Sequence, residues 1–123
     1  MAGTLTIGTL SDGTNSASAT DAIKGSARAW VNFNGVTTAT IRASYNVSSV
    51  TRNGTGDYTV NFTNALADAN YSAAISCKTD GVTDIIAQVP GTGAKTTSSL
   101  RIQSINAAGT LRDSQTNDVA IFR

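Results

Sequence analysis

The sequence predicts an all-β fold, an antiparallel β-sandwich of about eight short strands. Three observations carry that expectation. Apolar or aromatic residues alternate with small or polar ones through most of the chain, the period of a half-buried strand. Clusters of Gly, Asn, Asp and Ser interrupt these runs at short intervals, where turns belong. Ser and Thr make up roughly a quarter of the 123 residues, and Glu, a strong helix former, is absent.

The elements follow in order. In residues 1–24, Thr4 to Leu10 alternates with Leu5, Ile7 and Thr9 on one face, and Ser11 to Asn15 is a turn cluster. This region reads as an extended arm with one strand. From Ala27 a stronger strand begins, with Ala27, Ala29, Val31 and Phe33 on one side and Trp30, Asn32 and Asn34 on the other. An aromatic on each side predicts a strand covered on both faces. Asn34-Gly35 turns the chain, and Thr37 to Asn46 returns with Ile41, Ala43 and Tyr45 in alternation with Arg42, Ser44 and Asn46.

Val47 to Thr51 continues extended after a bulge or kink. Asn53-Gly-Thr-Gly-Asp57 makes a hairpin loop, because Gly adopts positive φ without steric cost. Tyr58, Val60 and Phe62 then mark the buried side of the next strand. Asn64 to Asn70 is too short for a stable helix. Tyr71 to Lys78 and Val82 to Val89 are strands joined by Thr79-Asp80-Gly81. Pro90 to about Thr97 is a loop, Ser99 to Asn106 a strand, and Thr110 to Asn117 a polar connection. Asp118 to Arg123 closes the fold as an apolar strand.

Composition narrows the function. Val, Ile, Leu and Phe make up only about a fifth of the chain, near the lower edge for a self-standing domain, so association into an oligomer is expected to supply missing burial. His is absent along with Glu, which removes Ser-His-Asp and Cys-His machinery and imidazole metal ligands. An enzyme is therefore not expected, and neither is a cofactor. Nine basic and eight acidic residues are scattered without a basic stripe, which argues against nucleic-acid binding. The segment from Met1 to Ile7 lacks a basic start and a long apolar run. It predicts a product made in a cytoplasm, without membrane insertion.

Individual residues read as follows. Cys77, alone and in an apolar run, reads as a small buried hydrophobe. The eight Asp lie mostly in turns, where they satisfy backbone groups. Asp80 with Asp84, or Asp113 with Asp118, fits no calcium-loop spacing. Four Asn-x-Ser/Thr triplets, at Asn46, Asn53, Asn61 and Asn70, have no secretory signal beside them. Pro90-Gly-Thr-Gly93 lacks the Gly-Lys-Ser/Thr ending of a phosphate loop. Arg42 is either an exposed strand residue or an ion-pair partner between chains, with Asp57 a plausible acceptor.

Several ordered blocks carry a resemblance. Gly25-Ser-Ala-Arg-Ala-Trp-Val-Asn-Phe-Asn34, Ile41-Arg-Ala-Ser-Tyr-Asn-Val-Ser-Ser-Val50, Gly54-Thr-Gly-Asp-Tyr-Thr-Val-Asn-Phe62 and Asp68-Ala-Asn-Tyr71 resemble the C-terminal head domain of bacteriophage tail-fibre proteins. Leu100-Arg-Ile-Gln103 and Val119-Ala-Ile-Phe-Arg123 resemble that family's closing strands. The resemblance covers residues 25–123 and implies a trimeric β-sandwich head on a virion surface, tail or capsid, that recognises a host-surface glycan or protein. Residues 1–24 would then be an arm docking on another virion protein through Leu5, Ile7 and Leu10. A capsid decoration or cement protein, docked through the same arm, is the alternative.

Site expectations divide in two. The polar loops with Asp80, Gly81, Thr83 and Asp84, and with Thr92, Gly93 and Lys95, are expected to bind the receptor from one end of the sandwich. Trp30, Phe33, Arg42, Tyr45, Asp57, Tyr58 and Phe62 are assigned to packing within or between protomers.

Overall fold

A computed structural model of the chain describes residues 2–123. It is built from β1 (Thr9–Ser11), β2 (Ser16–Ser18), α1 (Ala19–Gly25), β3 (Ala29–Asn34), β4 (Thr40–Tyr45), β5 (Val47–Gly54), β6 (Asp57–Phe62), β7 (Ser72–Lys78), β8 (Ile85–Gln88), β9 (Ser99–Asn106) and β10 (Thr116–Phe122). Eight strands form two four-stranded antiparallel sheets, ordered β4-β3-β10-β7 and β5-β6-β9-β8. The expected sandwich of about eight short strands is therefore present. No helix among the described residues is long and apolar enough to cross a membrane.

Between the sheets lies one apolar core. Val31 and Val119 are register partners in the first sheet, as are Val60 and Leu100 in the second. All four are buried, with Ala29, Phe33, Tyr58, Phe62, Ile102 and Ile121. Phe33 meets Tyr58 edge-on at 5.2 Å between ring centroids, and Phe62 meets Tyr71 at 5.9 Å. These T-shaped pairs match the negative face of one ring to the positive edge of the other. Phe33, Tyr58 and Phe62 thus pack within the protomer, on the side that their alternation predicted.

Several expectations are corrected at the sheet margins. The first strand is not Thr4 to Leu10 but the short β1, closed on β2 across a turn held by Asp12, whose Oδ1 accepts from Thr14 N and Asn15 N. The chain then forms α1 rather than continuing extended. Ser18 caps that helix by accepting from Asp21 N at 3.0 Å. The expected strand from Val82 shortens to Ile85–Gln88, because Thr79 and Val82 bridge around Gly81 at φ +75°.

Strand β3 is covered on one face only. Trp30, on its other face, is 40% exposed. Nor do Ile41, Ala43 and Tyr45 share a face. A bulge opposite Asn32 and Phe33 lets Ala43 pair with Asn32 while Ile41 pairs with Phe33. One inserted residue reverses the alternation, so Ile41 packs on the core and Tyr45 stands 58% exposed beside Trp30.

The two sheets are joined at a corner by Asn46, which adopts φ +53° between β4 and β5. Its amide donates to the Arg28 and Asn64 carbonyls, and its Oδ1 accepts from Asn64 N at 2.8 Å. Asn tolerates this left-handed conformation better than most residues because its side chain bonds locally. The same corner gathers the arm junction and the last residue. Arg28 N donates to Ile121 O at 2.7 Å, Arg28 Nε donates to Arg123 O, and Arg123 pairs with Asp68. This is the arm end of the sandwich. The opposite, far end carries the loops 35–39, 55–56, 79–84 and 107–115.

Candidate functional site

Strand alternation gives each sheet an outer face, and the two outer faces differ in chemistry. On β5-β6-β9-β8 most outward residues form a hydrogen-bonded polar ladder, with Ile86 exposed beside its register partner Ile105 toward the far end. Asp57 sits at the centre of the ladder, buried beneath its neighbours. Its Oδ1 accepts from Asn53 Nδ2 and Arg101 Nε, both at 2.9 Å, and its Oδ2 from Gln103 Nε2 at 3.0 Å. Gln88 extends the row by donating to Gln103, while Asn61 donates to Ser49 and Thr51. Asp57, named as a plausible acceptor for Arg42 of another chain, is instead held within the protomer by Arg101 on the adjacent strand. The Asn of the glycosylation triplets at Asn46, Asn53 and Asn61 spend their amides on these local bonds.

The outer face of β4-β3-β10-β7 is open. Register places Tyr45, Trp30, Ala120 and Ala74 in one row across the four strands, and Ala43, Asn32, Asp118 and Ser76 in the next. The methyl floor of Ala120 and Ala74 leaves a shallow trough of 430 Å³ against Trp30. Polar side chains edge it: Asn32 Nδ2 donates to Asp118 Oδ1, and Arg42 Nη1 lies 3.4 Å from Asn32 Oδ1. Arg42 is further fixed by donating to Gln115 O at 2.7 Å. Trp30, Tyr45 and Arg42 therefore have no role inside the protomer core.

The far end is organised by an Asp whose sequence context suggests only a turn residue. Asp113 lies in the segment between β9 and β10, read as a polar connection. Its Oδ1 accepts from Gly56 N at 2.8 Å and Arg52 Nε at 3.1 Å, and its Oδ2 from Arg52 Nη2 at 2.6 Å. The Tyr58 hydroxyl, 3.0 Å from Asp113 Oδ1 and 3.2 Å from Gly35 O, shares its proton between them and accepts from Ser114 N. Beside it Ser104, Ser114 and Asn117 are buried and bonded to one another, with Ser104 Oγ donating to Arg112 O. Among the described residues no buried side-chain polar atom is left without a partner. One signal could have found this cluster: a Tyr in strict alternation on a core face needs a partner for its hydroxyl.

Electrostatics follow the geometry. Arg101 beside Asp57 holds its carboxyl far below the usual carboxylate range. Burial opposes ionisation of Asp113, but Arg52, the Gly56 amide and the Tyr58 hydroxyl outweigh it and lower its pKa. Asp68 is lowered by Arg123. Burial raises the Tyr71 phenol to about 12. All three Asp are lowered relative to 3.8, so their stabilisation is complete above that value and is lost as pH falls through the folded pKa values. The urea midpoint is expected to be flat from neutral pH down to about 5 and to fall below about 4. Asp57→Asn should flatten the acid limb; a midpoint that rises on acidification would contradict the assignment.

The two loops expected to act together lie at opposite ends. Asp80, Gly81, Thr83 and Asp84 are at the far end, where Asp80 pairs with Lys78 at 3.2 Å. Thr92, Gly93 and Lys95 are at the arm end. Lys95 is not free there: its Nζ donates to Tyr71 O at 2.9 Å and lies 5.4 Å above the Tyr71 ring. The neighbouring Ala94 is buried. In the arm, Leu5, Ile7 and Leu10 are exposed, and so is Ile23 on α1.

Fold and surfaces together define a β-sandwich domain with one closed polar face, one open aromatic face and a loop-built tip. No family model, curated protein or solved structure matches the chain.

Proposed function

We propose that the chain is the head of a bacteriophage virion protein, similar to a tail-fibre head, which assembles as a homotrimer and presents its far end to a host-surface glycan. The open aromatic face carries this reading. Trp30 and Tyr45 stand side by side and exposed over a floor of Ala120 and Ala74, while the opposite outer face is polar and internally bonded. Contiguous apolar surface rimmed by polar groups marks a contact between proteins, and Trp and Tyr dominate the energetics of such contacts. With the arm and Arg123 at one end, the loops 35–39, 55–56, 79–84 and 107–115 point away from whatever the arm engages.

Light scattering tests the assembly. The expected mass is three times the 12.6 kDa protomer. Trp30→Asp, which places a charge in the trough, should give protomer-sized particles with an unchanged circular dichroism spectrum. A parent protein that is monomeric at micromolar concentration would overturn the trimer. Adsorption of the isolated protein to host cells tests the recognition role.

A second reading has its own support. The exposed Leu5, Ile7, Leu10 and Ile23 give residues 2–25 an apolar surface without a partner among the described residues, as a capsid decoration protein docked through its arm requires. Tight association with capsids, without adsorption to cells, would favour it over the fibre head.

A further inference from the structure

The far end holds a cleft of 420 Å³ whose walls include Thr55, Thr79, Val82, Ile85, Leu111 and Arg112. We propose that this cleft binds an acidic saccharide, a hydroxylated ring bearing a carboxylate, with Arg112 as the partner of that carboxylate. The proposal deepens the host-glycan reading and rests on it.

Charge accounting at this end singles out Arg112. Arg52 and Asp113 neutralise each other, and so do Lys78 and Asp80. Among the described residues, the Arg112 guanidinium has no hydrogen-bond or ion-pair partner. Its backbone, by contrast, is fixed: Arg112 N donates to Ser104 O at 2.9 Å, and Arg112 O accepts from Ser104 Oγ at 2.5 Å. A guanidinium without a partner, anchored on a backbone held at both N and O, is available to a planar, two-oxygen acceptor, because its fork matches a carboxylate bidentately.

The remaining lining suits a sugar ring. Thr55 Oγ1 accepts from Arg52 Nη2 and keeps its own proton to donate. Thr79 Oγ1 donates to Asp113 O and keeps lone pairs to accept. The cleft thus offers both hydrogen-bonding senses that ring hydroxyls need. Val82, Ile85 and Leu111 form an apolar wall for the C–H face of a pyranose. The Asp113 carboxylate is occupied by Arg52, Gly56 and Tyr58. Asp84, beside Ile85 in the chain, is the acid without a partner among the described residues; it offsets Arg112 in the net charge of this end, so the carboxylate is held by direct contact with the guanidinium rather than by a net positive field.

Amide chemical shifts of the isotope-labelled protein, titrated with glucuronic acid, glucose and glucose 6-phosphate, test the proposal. Glucuronate is expected to move the amides of Thr55, Val82, Leu111 and Arg112 saturably, and glucose to bind about tenfold more weakly or worse. The sugar phosphate should fall between them. Arg112→Gln, whose side chain supports nothing in the fold, should erase the preference for glucuronate over glucose, and Asp84→Asn should tighten glucuronate binding. The proposal is overturned if glucuronate leaves these amides unmoved, if Arg112→Gln binds like the parent, or if the phosphate binds better than the carboxylate. Host-cell adsorption separates the two levels. Adsorption with an unresponsive cleft overturns only the cleft; a responsive cleft without adsorption overturns only the head reading.

Discussion

Gly56→Ala is expected to remove about 3–5 kcal/mol of stability, a large share of what a domain of this size possesses. Two effects add. Gly56 sits at φ +64°, where a side chain strains the backbone by itself. A Cβ there would also lie 2.6 Å from Arg112 N, Arg112 O and Ser104 O, all backbone atoms that cannot turn aside. The hairpin tip would have to lift off β9, breaking the bond from Ser104 N to Gly56 O. The thermal midpoint should drop by roughly 12–20 °C. Gly54→Ala is the control. It belongs to the same hairpin, yet nothing lies within 4 Å of its added Cβ. Equal melting of Gly56→Ala and Gly54→Ala would show that the far end yields more easily than this packing implies.

Asp113→Ala should cost about 2–3 kcal/mol, from an unsatisfied Gly56 N–H and a weakened Tyr58 hydroxyl alone. The Arg52 pair lost with it adds to that figure. Tyr58 keeps Gly35 O as a second acceptor, which limits the loss at the core. Asp113→Asn retains an acceptor for Gly56 and Tyr58 but not the charge, so its urea midpoint should fall between the parent and the Ala variant. An unfolding free energy for Asp113→Ala within about 0.5 kcal/mol of the parent would mean that the network does not hold the far end together. Amide exchange at Gly56 and Ser114 offers an independent reading, since both should exchange faster in the Ala variant.

Legibility in the sequence followed the physics of each element. Strand β9 falls at Ser99–Asn106 as expected, because its inward Leu100, Ile102 and Ser104 alternate without interruption between two turns. Strand β6 is equally plain, with Tyr58, Val60 and Phe62 all buried. Strand β4 misled, because alternation assumes that no residue is inserted. The bulge at Arg42 changes which side chains face the core without leaving any mark in composition. Asp113 was hidden for a different reason. A turn Asp that satisfies its own backbone and one that grips a distant hairpin at Arg52, Gly56 and Tyr58 look the same in a sequence, and only the partners distinguish them. The two loops expected to bind a receptor share their polarity, yet polarity says nothing about which end of a sandwich a loop occupies. Connectivity decides that: β8 runs from the 79–84 loop toward the 89–98 loop, which separates the two by the length of a strand.

The far end has one further consequence. Its shape is set by atoms that face inward or belong to the backbone: the Gly56 turn, both Asp113 oxygens, the Ser104 bonds to Arg112. Among the described residues, the side chains of Leu111, Arg112, Thr83 and Asp84, which meet solvent there, contribute no hydrogen bond or ion pair of their own to that frame. Holding and meeting are assigned to different groups. Under the proposed recognition role, the outward set is open to substitution one residue at a time, each change altering the surface presented while the tip that displays it stays folded.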